Sequence, residues 1–318
     1  MTEGDVAACA ELFVERHATR RASNPLYPTN LDTVEVVGEL ISGWLSTSEG
    51  IVAEQDGTLI GYLTGRAVTG LGGVRMSFMW EWSHATRADA PGTLFSEMYT
   101  AWCRLSDRSE TTLHTAIVFA DDVATHDCLV QTGFGRHLID GGRAIGPGDA
   151  GASVDSSADV SRPTLKELDV VNEMEAGLHA HLDAPPIWRP KSPGGGHVYD
   201  RTWIERPSRG LWVSRSNGQI TGFMSAEAGA QDPKSLMSPP VPHITGAFLK
   251  SEARGTGASR ALLAALLDWI HESGWKSATV DFETSNPEGA GFWLGSAGFR
   301  PLLYTMLRRL DPRYVSNP

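Results

Sequence analysis

Apolar and polar positions alternate along the first half of this chain in both strand-like and helix-like periods. Short apolar runs at 51–55 and 59–63 flank Asp56-Gly57, a dipeptide that predicts a tight β-hairpin. A helix beginning at Asn30 or Asp32 is expected to precede this hairpin. Before these elements the pattern predicts a helix at 5–21. After them it predicts, in order, a strand at 74–82, a helix at 93–105, a strand at 112–119, a helix at 122–131 and a strand ending near 145.

The second half repeats this pattern of apolar runs. It predicts helices at 165–181, 260–270 and 289–297 and strands at 211–214, 220–224, 244–249, 278–282 and 302–310. Between the halves, segment 146–161 has almost no large apolar residues and is typical of a flexible linker. We therefore expect two α/β domains, 1–146 and 162–318, joined by a linker at 147–161.

Two short motifs support an internal repeat. The sequence D-G-T-L-I-G-Y at 56–62 corresponds to N-G-Q-I-T-G-F at 217–223. Each half also ends with a helix closed by Gly-Phe, at 133–134 and at 298–299. The interval from Asp121 to the first of these phenylalanines equals the interval from Asn286 to the second. The same element order in both halves favours a tandem duplication over coincidence.

The turn before the helix at 260–270 contains chemistry that the first half lacks. It consists of small residues, including Gly255 and Gly257, and it opens a helix. Unpaired N–H groups at a helix start, together with the helix dipole, can bind phosphate. The equivalent turn of the first half contains Asp89 and Pro91, which add a negative charge and remove an N–H. We expect one anion site, in the second half; an ordinary strand-to-helix turn is the alternative.

Composition and charge argue against several classes of function. The chain has 318 residues and a net charge of −11, which argues against a general nucleic-acid binder. Three scattered cysteines, Cys9, Cys103 and Cys128, predict neither a disulfide framework nor a zinc site. The N-terminus does not resemble a signal peptide and no apolar run reaches the length of a membrane span. We therefore expect a cytoplasmic protein without a membrane or nucleic-acid partner; oligomerisation stays open.

The second half resembles the GNAT superfamily of N-acetyltransferases. The resemblance rests on Arg254, Gly255, Thr256, Gly257, Ala258 and Ser259 at a strand-to-helix turn, and on a strand–Asn286–helix–Gly298-Phe299 unit. Ser259 departs from the family's usual Gly or Ala but is also small. The resemblance covers about 164–310 well and 5–145 weakly. It implies two tandem GNAT-like domains, each with a mixed, mostly antiparallel central sheet flanked by helices, the N-terminal one degenerate.

The resemblance also implies a cosubstrate and its contacts. Acetyl-CoA would place its pyrophosphate on the turn at 254–259, with no metal involved. Its pantetheine arm would pair with the backbone near Phe248 and Leu249. Asn286 would contact the arm near the thiol.

Candidate catalytic residues are His243, Glu283 and Tyr304. An N-acetyltransferase of this kind needs a base for the incoming amine and a proton for the departing thiolate. His243 stands about where the family often has a Glu, although a loop role is the alternative. Glu283, or its neighbour Asp281, could act as the base or be a solvated strand end. Tyr304 could replace the family's tyrosine, whose position here is Leu294, or could simply pack on its strand.

The sequence thus predicts an acetyl-CoA-dependent N-acetyltransferase that acetylates a small amine, with its active site in the C-terminal domain. A non-catalytic acyl-CoA-binding or regulatory protein is the alternative, favoured by Leu294. A purely structural module is the third possibility. Trp188, Trp203 and Trp212 could line the acceptor pocket or pack within their own domain.

Overall fold

A computed structural model describes residues 1–70, 73–105, 111–146, 158–189, 196–228 and 241–311. Most of the predicted linker lies outside the described residues, as do residues 229–240. The chain forms two compact units, and each contains a mixed sheet flanked by helices. No described helix combines the length and apolar character needed to cross a membrane.

The first unit is built from Met1–Ile139 and the chain from Leu302 onward. One of its sheets has the strand order β1-β2-β5, and the other has β3-β4-β6-β13. Its helices are α1 (Val6–Ser23), α2 (Val34–Leu45), α3 (Leu94–Leu105) and α4 (Val123–Gln131), and its strands are β1 (Gly50–Gln55), β2 (Thr58–Thr64), β3 (Arg66–Thr69), β4 (Arg75–Met79), β5 (His84–Thr86), β6 (Leu113–Phe119) and most of β13 (Arg300–Arg309).

The second unit lies within Asp140–Ala230 and Pro240–Pro301. Its strands follow the order β7-β12-β11-β10-β9-β8. They are the second part of β7 (Gly135–Ala144), β8 (Asp159–Ser161), β9 (Arg209–Ser216), β10 (Gln219–Glu227), β11 (His243–Leu249) and β12 (Ser277–Glu283), and the helices are α5 (Leu168–Asp183), α6 (Arg201–Ile204), α7 (Ala258–Glu272) and α8 (Pro287–Gly291).

The last strand of each half contributes to the unit formed mainly by the other half. β13 runs antiparallel to β6, from Leu303 opposite Phe119 to Arg309 opposite Leu113. At the end of β7, the N–H of Ile145 donates to the carbonyl of Lys276 at 2.8 Å. The boundaries between the units therefore fall within β7 and β13 and not at one point in the linker. The sequence-based domain bounds stay a prediction.

Both hairpins of the repeat form as predicted. Asp56 and Gly57 have φ values of 53° and 74°, and Asn217 and Gly218 have 51° and 74°. Positive φ at both central residues is the geometry that Asp-Gly and Asn-Gly favour in two-residue hairpins. The matching turns agree with the duplication.

The structure corrects three local expectations. Thr33, rather than Asn30 or Asp32, caps α2, because its hydroxyl accepts from the N–H of Val36 at 3.4 Å. The strand expected at 74–82 is interrupted after β4, where the N–H of Ser83 donates to the carbonyl of Trp80 at 3.0 Å and closes a turn.

The third correction concerns the two Gly-Phe helices. The equal intervals match Asp121 with Asn286, but the residue that caps α4 is Asp122, while Asn286 caps α8. The second helix therefore contains one residue more than the first. A π-helical turn at Phe292–Ser296, continuing α8, accommodates it, with the N–H of Ala297 donating to the carbonyl of Phe292.

Candidate active site

The central feature of the second unit is a split between the parallel strands β11 and β12. They pair only at His243 opposite Thr279 and Ile244 opposite Val280. On the other side of β11, the adjacent residues Ser225 and Ala226 face Gly246 and Ile244, so Thr245 is an extra, bulged residue. A bulge bends and twists its strand. Beyond Ile244 this edge of β11 therefore faces an opening in the sheet.

The predicted phosphate turn lies at the end of β11. Gly255 and Gly257 have φ values of 75° and 88°, which favour glycine. The N–H of Ala261 donates to the carbonyl of Gly257 at 3.1 Å, the first α-helical bond of α7. The N–H groups of the first residues of α7, before Ala261, have no acceptor within the helix, and such groups can bind an anion at a helix N-terminus.

The other predicted turn residues have structural partners in the second unit. The hydroxyl of Thr256 donates to the carbonyl of Ala253 at 2.8 Å, which stabilises the turn. Ala258 is buried and Ser259 is half-buried at the start of α7. Arg254 pairs with Glu288 of α8 at 2.7 Å, and 40% of its side chain is exposed. The guanidinium therefore lies beside the turn and is accessible to a ligand.

Asn286, Phe248 and Leu249 complete the predicted binding set. The side-chain oxygen of Asn286 accepts from the N–H of Gly289 at 3.1 Å, so it fixes the start of α8. Phe248 and Leu249 are half-buried at the end of β11. The structure thus brings the predicted cosubstrate residues to one end of the second unit, along β11 and at the starts of α7 and α8.

A polar stripe follows one face of β12 beside the split. Thr279, Asp281 and Glu283 alternate along the strand. His243 connects to two of them, because its Nε2 lies 2.8 Å from Asp281 Oδ1 and its Nδ1 lies 3.0 Å from Thr279 Oγ1. Both ring nitrogens are therefore engaged. The geometry suits His243 for orienting Asp281 better than for receiving a proton from a substrate.

The two carboxyl groups of this stripe differ electrostatically. Burial raises the pKa of Glu283 above its usual value, and the charge of Asp281 adds to the effect. Asp281 has 48% of its side chain exposed; desolvation opposes its ionisation, but the hydrogen bond and charge of His243 outweigh this effect and lower its pKa. A buried carboxylate with a raised pKa is a stronger base than an ordinary one. Glu283 is therefore the better candidate base.

Tyr304 belongs to the first unit. It is part of β13 in the first unit, where the guanidinium of Arg136 stacks 3.7 Å from its ring centroid and the ring of His126 lies 5.7 Å away. Its predicted catalytic role stays a prediction. Leu294, at the family's tyrosine position, is 39% exposed.

Of the three candidate tryptophans, two are buried and one is exposed. Trp203 is buried in the core of the second unit, and Trp212 packs against Trp269 with ring centroids 5.6 Å apart. Trp188, by contrast, is 67% exposed and has a φ of 49°. Of the three, only Trp188 has the exposure needed to contact an acceptor.

Sequence reasoning missed a buried hydrogen-bonded chain beside the split. Its members are Glu175 of α5, Tyr199, Ser225 of β10 and Thr245 at the bulge. Tyr199 OH lies 3.4 Å from Glu175 Oε2 and 2.9 Å from Ser225 Oγ, and Ser225 Oγ lies 3.0 Å from Thr245 Oγ1. No motif links these residues, since they come from four separate segments.

The corresponding region of the first unit is closed. β4 pairs with β6 along four residues, Met76 to Met79. His84 of β5 fills the space beyond by donating from Nε2 to the carbonyl of Ile117 at 2.9 Å. Asp89 is paired with Arg87 through two contacts of 3.0 and 3.1 Å. The expectation that the first half lacks a phosphate turn stays a prediction.

The described residues contain no group of three or more His, Cys, Asp or Glu side chains placed to hold a metal ion.

Comparison with known proteins agrees with the geometry. Residues 179–299 match the model of the acetyltransferase (GNAT) family. A GCN5-related N-acetyltransferase from Sphaerobacter thermophilus is similar in structure, with 11% identity, a TM-score of 0.50 and coverage of 97% of this chain and 94% of that one. A GNAT-family acetyltransferase from Colwellia psychrerythraea has 12% identity, a TM-score of 0.46 and coverage of 86% and 90%. Curated protein sequences give no match.

The C-terminal half of the chain thus contains a GNAT acetyltransferase domain. The Sphaerobacter structure covers nearly the whole chain, so the fold is that of tandem GNAT-like domains. At such low identity this likeness concerns the fold alone.

Proposed function

We propose that this chain is an acetyl-CoA-dependent N-acetyltransferase that acetylates a small amine in the β11/β12 split. The observation that carries the proposal is the combination of an open β11 edge with a glycine turn at its end. Acyl transfer in general follows from the domain family. The choice of acetyl group, amine acceptor and active-site location is our inference.

The residues present fit acetyl-CoA. At Gly255 a Cβ atom would meet nothing within 4 Å, so a phosphate can approach the backbone there. The N–H groups at the start of α7 bind the pyrophosphate, with Arg254 beside them. The open edge of β11 at Phe248 and Leu249 accepts an extended arm as an added strand would. When bound, this cosubstrate supplies a thioester whose carbonyl carbon is attacked by the amine.

The polar stripe of β12 prepares the acceptor. Amines are mostly protonated at neutral pH and must lose a proton before they attack. Glu283 takes this proton, because its raised pKa makes it a stronger base than an exposed glutamate. His243 holds Asp281 in place, and the two carboxylates favour binding of a cationic amine. Their charge also favours the ammonium form before the proton is transferred.

A non-catalytic acyl-CoA-binding protein is the second candidate. Leu294 supports it, because the residue cannot donate a proton to a thiolate as a phenol can. Tyr304 also has its contacts in the first unit. In this reading the turn and the β11 edge bind acyl-CoA, and the carboxylates of β12 are structural.

Turnover separates the two candidates. Wild-type protein is mixed with acetyl-CoA and, separately, with spermidine, kanamycin, an amino acid and a peptide with a free N-terminus, and release of free thiol is followed. The enzyme hypothesis predicts amine-dependent thiol release with formation of an acetylated product by mass spectrometry. It also predicts a loss of about 100-fold or more in Glu283→Gln. Tight acetyl-CoA binding without thiol release from any amine would favour the non-catalytic protein.

A further inference from the structure

The split needs a proton for the departing thiolate, and the buried chain from Glu175 to Thr245 leads directly to it. Glu175, Tyr199 and Ser225 are 4%, 1% and 0% exposed. Thr245, by contrast, is half-buried. It is also the first residue of β11 beyond the pairing with β12. The chain therefore has three buried members and one end that reaches the split.

The carboxylate fixes the direction of every hydrogen bond in this chain. An ionised carboxylate can only accept, so the hydroxyl of Tyr199 donates to Glu175. Ser225 must then donate to Tyr199, and Thr245 to Ser225. In this order each of the three hydroxyls donates its proton to the next member of the chain. The Thr245 oxygen accepts no hydrogen bond within this chain, so its lone pairs can accept a proton from the split.

The other oxygen of Glu175 is held in place by its surroundings. Its Oε1 accepts from the N–H of His197 at 3.1 Å and lies 3.3 Å from Nε2 of His179. Arg189 contacts Nδ1 of the same histidine. A Cβ atom at Gly196 would lie 2.4 Å from Oε1, so the backbone of Gly196 lies close to the carboxylate. Burial and the charge of Glu175 raise the pKa of Tyr199, which keeps its hydroxyl protonated.

We propose that Thr245, Ser225, Tyr199 and Glu175 form a proton relay that moves a proton from the attacking amine to the departing thiolate. This inference rests on the proposed acetyltransferase function. As the bond between the amine nitrogen and the acyl carbon forms, the nitrogen loses a proton to Thr245. One proton then shifts along each hydroxyl, and Glu175 becomes protonated. As the carbon–sulfur bond breaks, the same steps run in reverse and Thr245 protonates the sulfur. The relay ends unchanged.

Thr245 is the catalytic residue of this proposal, and the other three act through it. Thr245→Val removes the hydroxyl but keeps the shape of a half-buried strand residue, so the variant should fold. Thr245→Ser restores the hydroxyl. A matched control is Thr221→Val, since Thr221 lies in β10, where its hydroxyl bonds with Ser214 outside the relay. Tyr199→Phe tests the buried part while keeping the aromatic ring.

The experiment measures kcat, the KM for the amine, acetyl-CoA affinity and the solvent deuterium isotope effect, with whichever of the four amine probes the wild type acetylates. Thr245→Val should lower kcat about 100-fold or more, the scale of acid–base catalysis, while Thr245→Ser and Thr221→Val stay near wild type. Calorimetric titration should give the same acetyl-CoA Kd for all of them. Tyr199→Phe should lower kcat and reduce the isotope effect, because fewer protons move together.

Two readouts separate the relay from the proposed function. Wild-type turnover, with kcat in Thr245→Val near the wild-type value, would overturn the relay and leave the acetyltransferase intact. If no amine is acetylated, the proposed function fails first. The relay, which acts only during that reaction, then fails with it. Titration of the Glu175 carboxyl in the free protein can be followed by ¹³C NMR. A curve that is unchanged by Thr245→Val would overturn the hydrogen-bonded chain without any turnover measurement.

Discussion

Gly257, at the start of α7, and Gly274, just beyond its end, form a matched pair for testing the phosphate turn. Their φ values are 88° and 86°. An alanine held in this left-handed conformation costs about 1–2 kcal/mol. Gly257→Ala and Gly274→Ala should therefore lower the free energy of unfolding by similar amounts, measured by denaturant titration. This comparison gives the backbone cost before any ligand is added.

A glutamate at each position then tests the ligand. If Gly257→Glu places a carboxylate about 4 Å from a bound phosphate, their repulsion is about 1 kcal/mol at the dielectric of water and about 4 kcal/mol at that of a protein surface. The acetyl-CoA Kd should rise about fivefold at the weaker limit and several hundredfold at the stronger one. Gly274→Glu has the same backbone strain and adds the same charge away from the turn, so its Kd should match that of the wild type.

Calorimetric titration of acetyl-CoA into the four variants provides the measurement. The reasoning is refuted if Gly257→Glu binds acetyl-CoA as tightly as the wild type. It is also refuted if Gly274→Glu weakens binding equally, because the loss would then come from strain or net charge and not from the turn.

Three further predictions concern the second unit. Asn286→Ala should destabilise the protein by about 1 kcal/mol in denaturant unfolding, because the start of α8 loses its capping bond; an unchanged midpoint would contradict this role. Glu283 has a raised folded pKa, so wild-type stability should fall as pH rises from the ordinary glutamate pKa through the raised one, while Glu283→Gln lacks this loss; parallel stability–pH curves would contradict the burial argument. Glu288→Gln should change stability by less than about 1 kcal/mol, since its pair with Arg254 is exposed, and should tighten acetyl-CoA binding by freeing the guanidinium; weaker binding would argue against Arg254 as a phosphate ligand.

Local features of the fold could be predicted because they depend on residues close in sequence. Asp56-Gly57 and Asn217-Gly218 require a two-residue turn whatever surrounds them. The apolar positions of α7 are buried as their 3.6-residue spacing indicates. The glycine turn before α7 was equally readable, since its conformation is set by Gly255 and Gly257.

Contacts between distant segments could not be predicted in this way. The placement of β13 beside β6 depends on which strand completes which sheet, and both halves supply a suitable strand. That choice makes Tyr304 part of the first unit, whereas Glu283 is part of the second. The chain from Glu175 to Thr245 was equally hidden, because its four polar side chains meet only after α5, β10 and β11 have packed together.

Cap positions show a smaller limit of the same kind. Asn30, Asp32 and Thr33 are all good capping residues, and the sequence alone offers little to separate them. Asp32 instead interacts with Arg21 and His17, which leaves Thr33 to cap α2. Tertiary contacts therefore determine which of these nearby residues caps α2.

Hydrogen–deuterium exchange with and without acetyl-CoA tests the central claim most directly. The account predicts slower amide exchange at 245–260, where the open edge of β11 and the turn before α7 bind the cosubstrate. It predicts no change at 87–94, the equivalent turn of the first half, where Asp89 is paired with Arg87. Unchanged exchange at 245–260, or equal protection of both segments, would contradict a single cosubstrate site in the β11/β12 split.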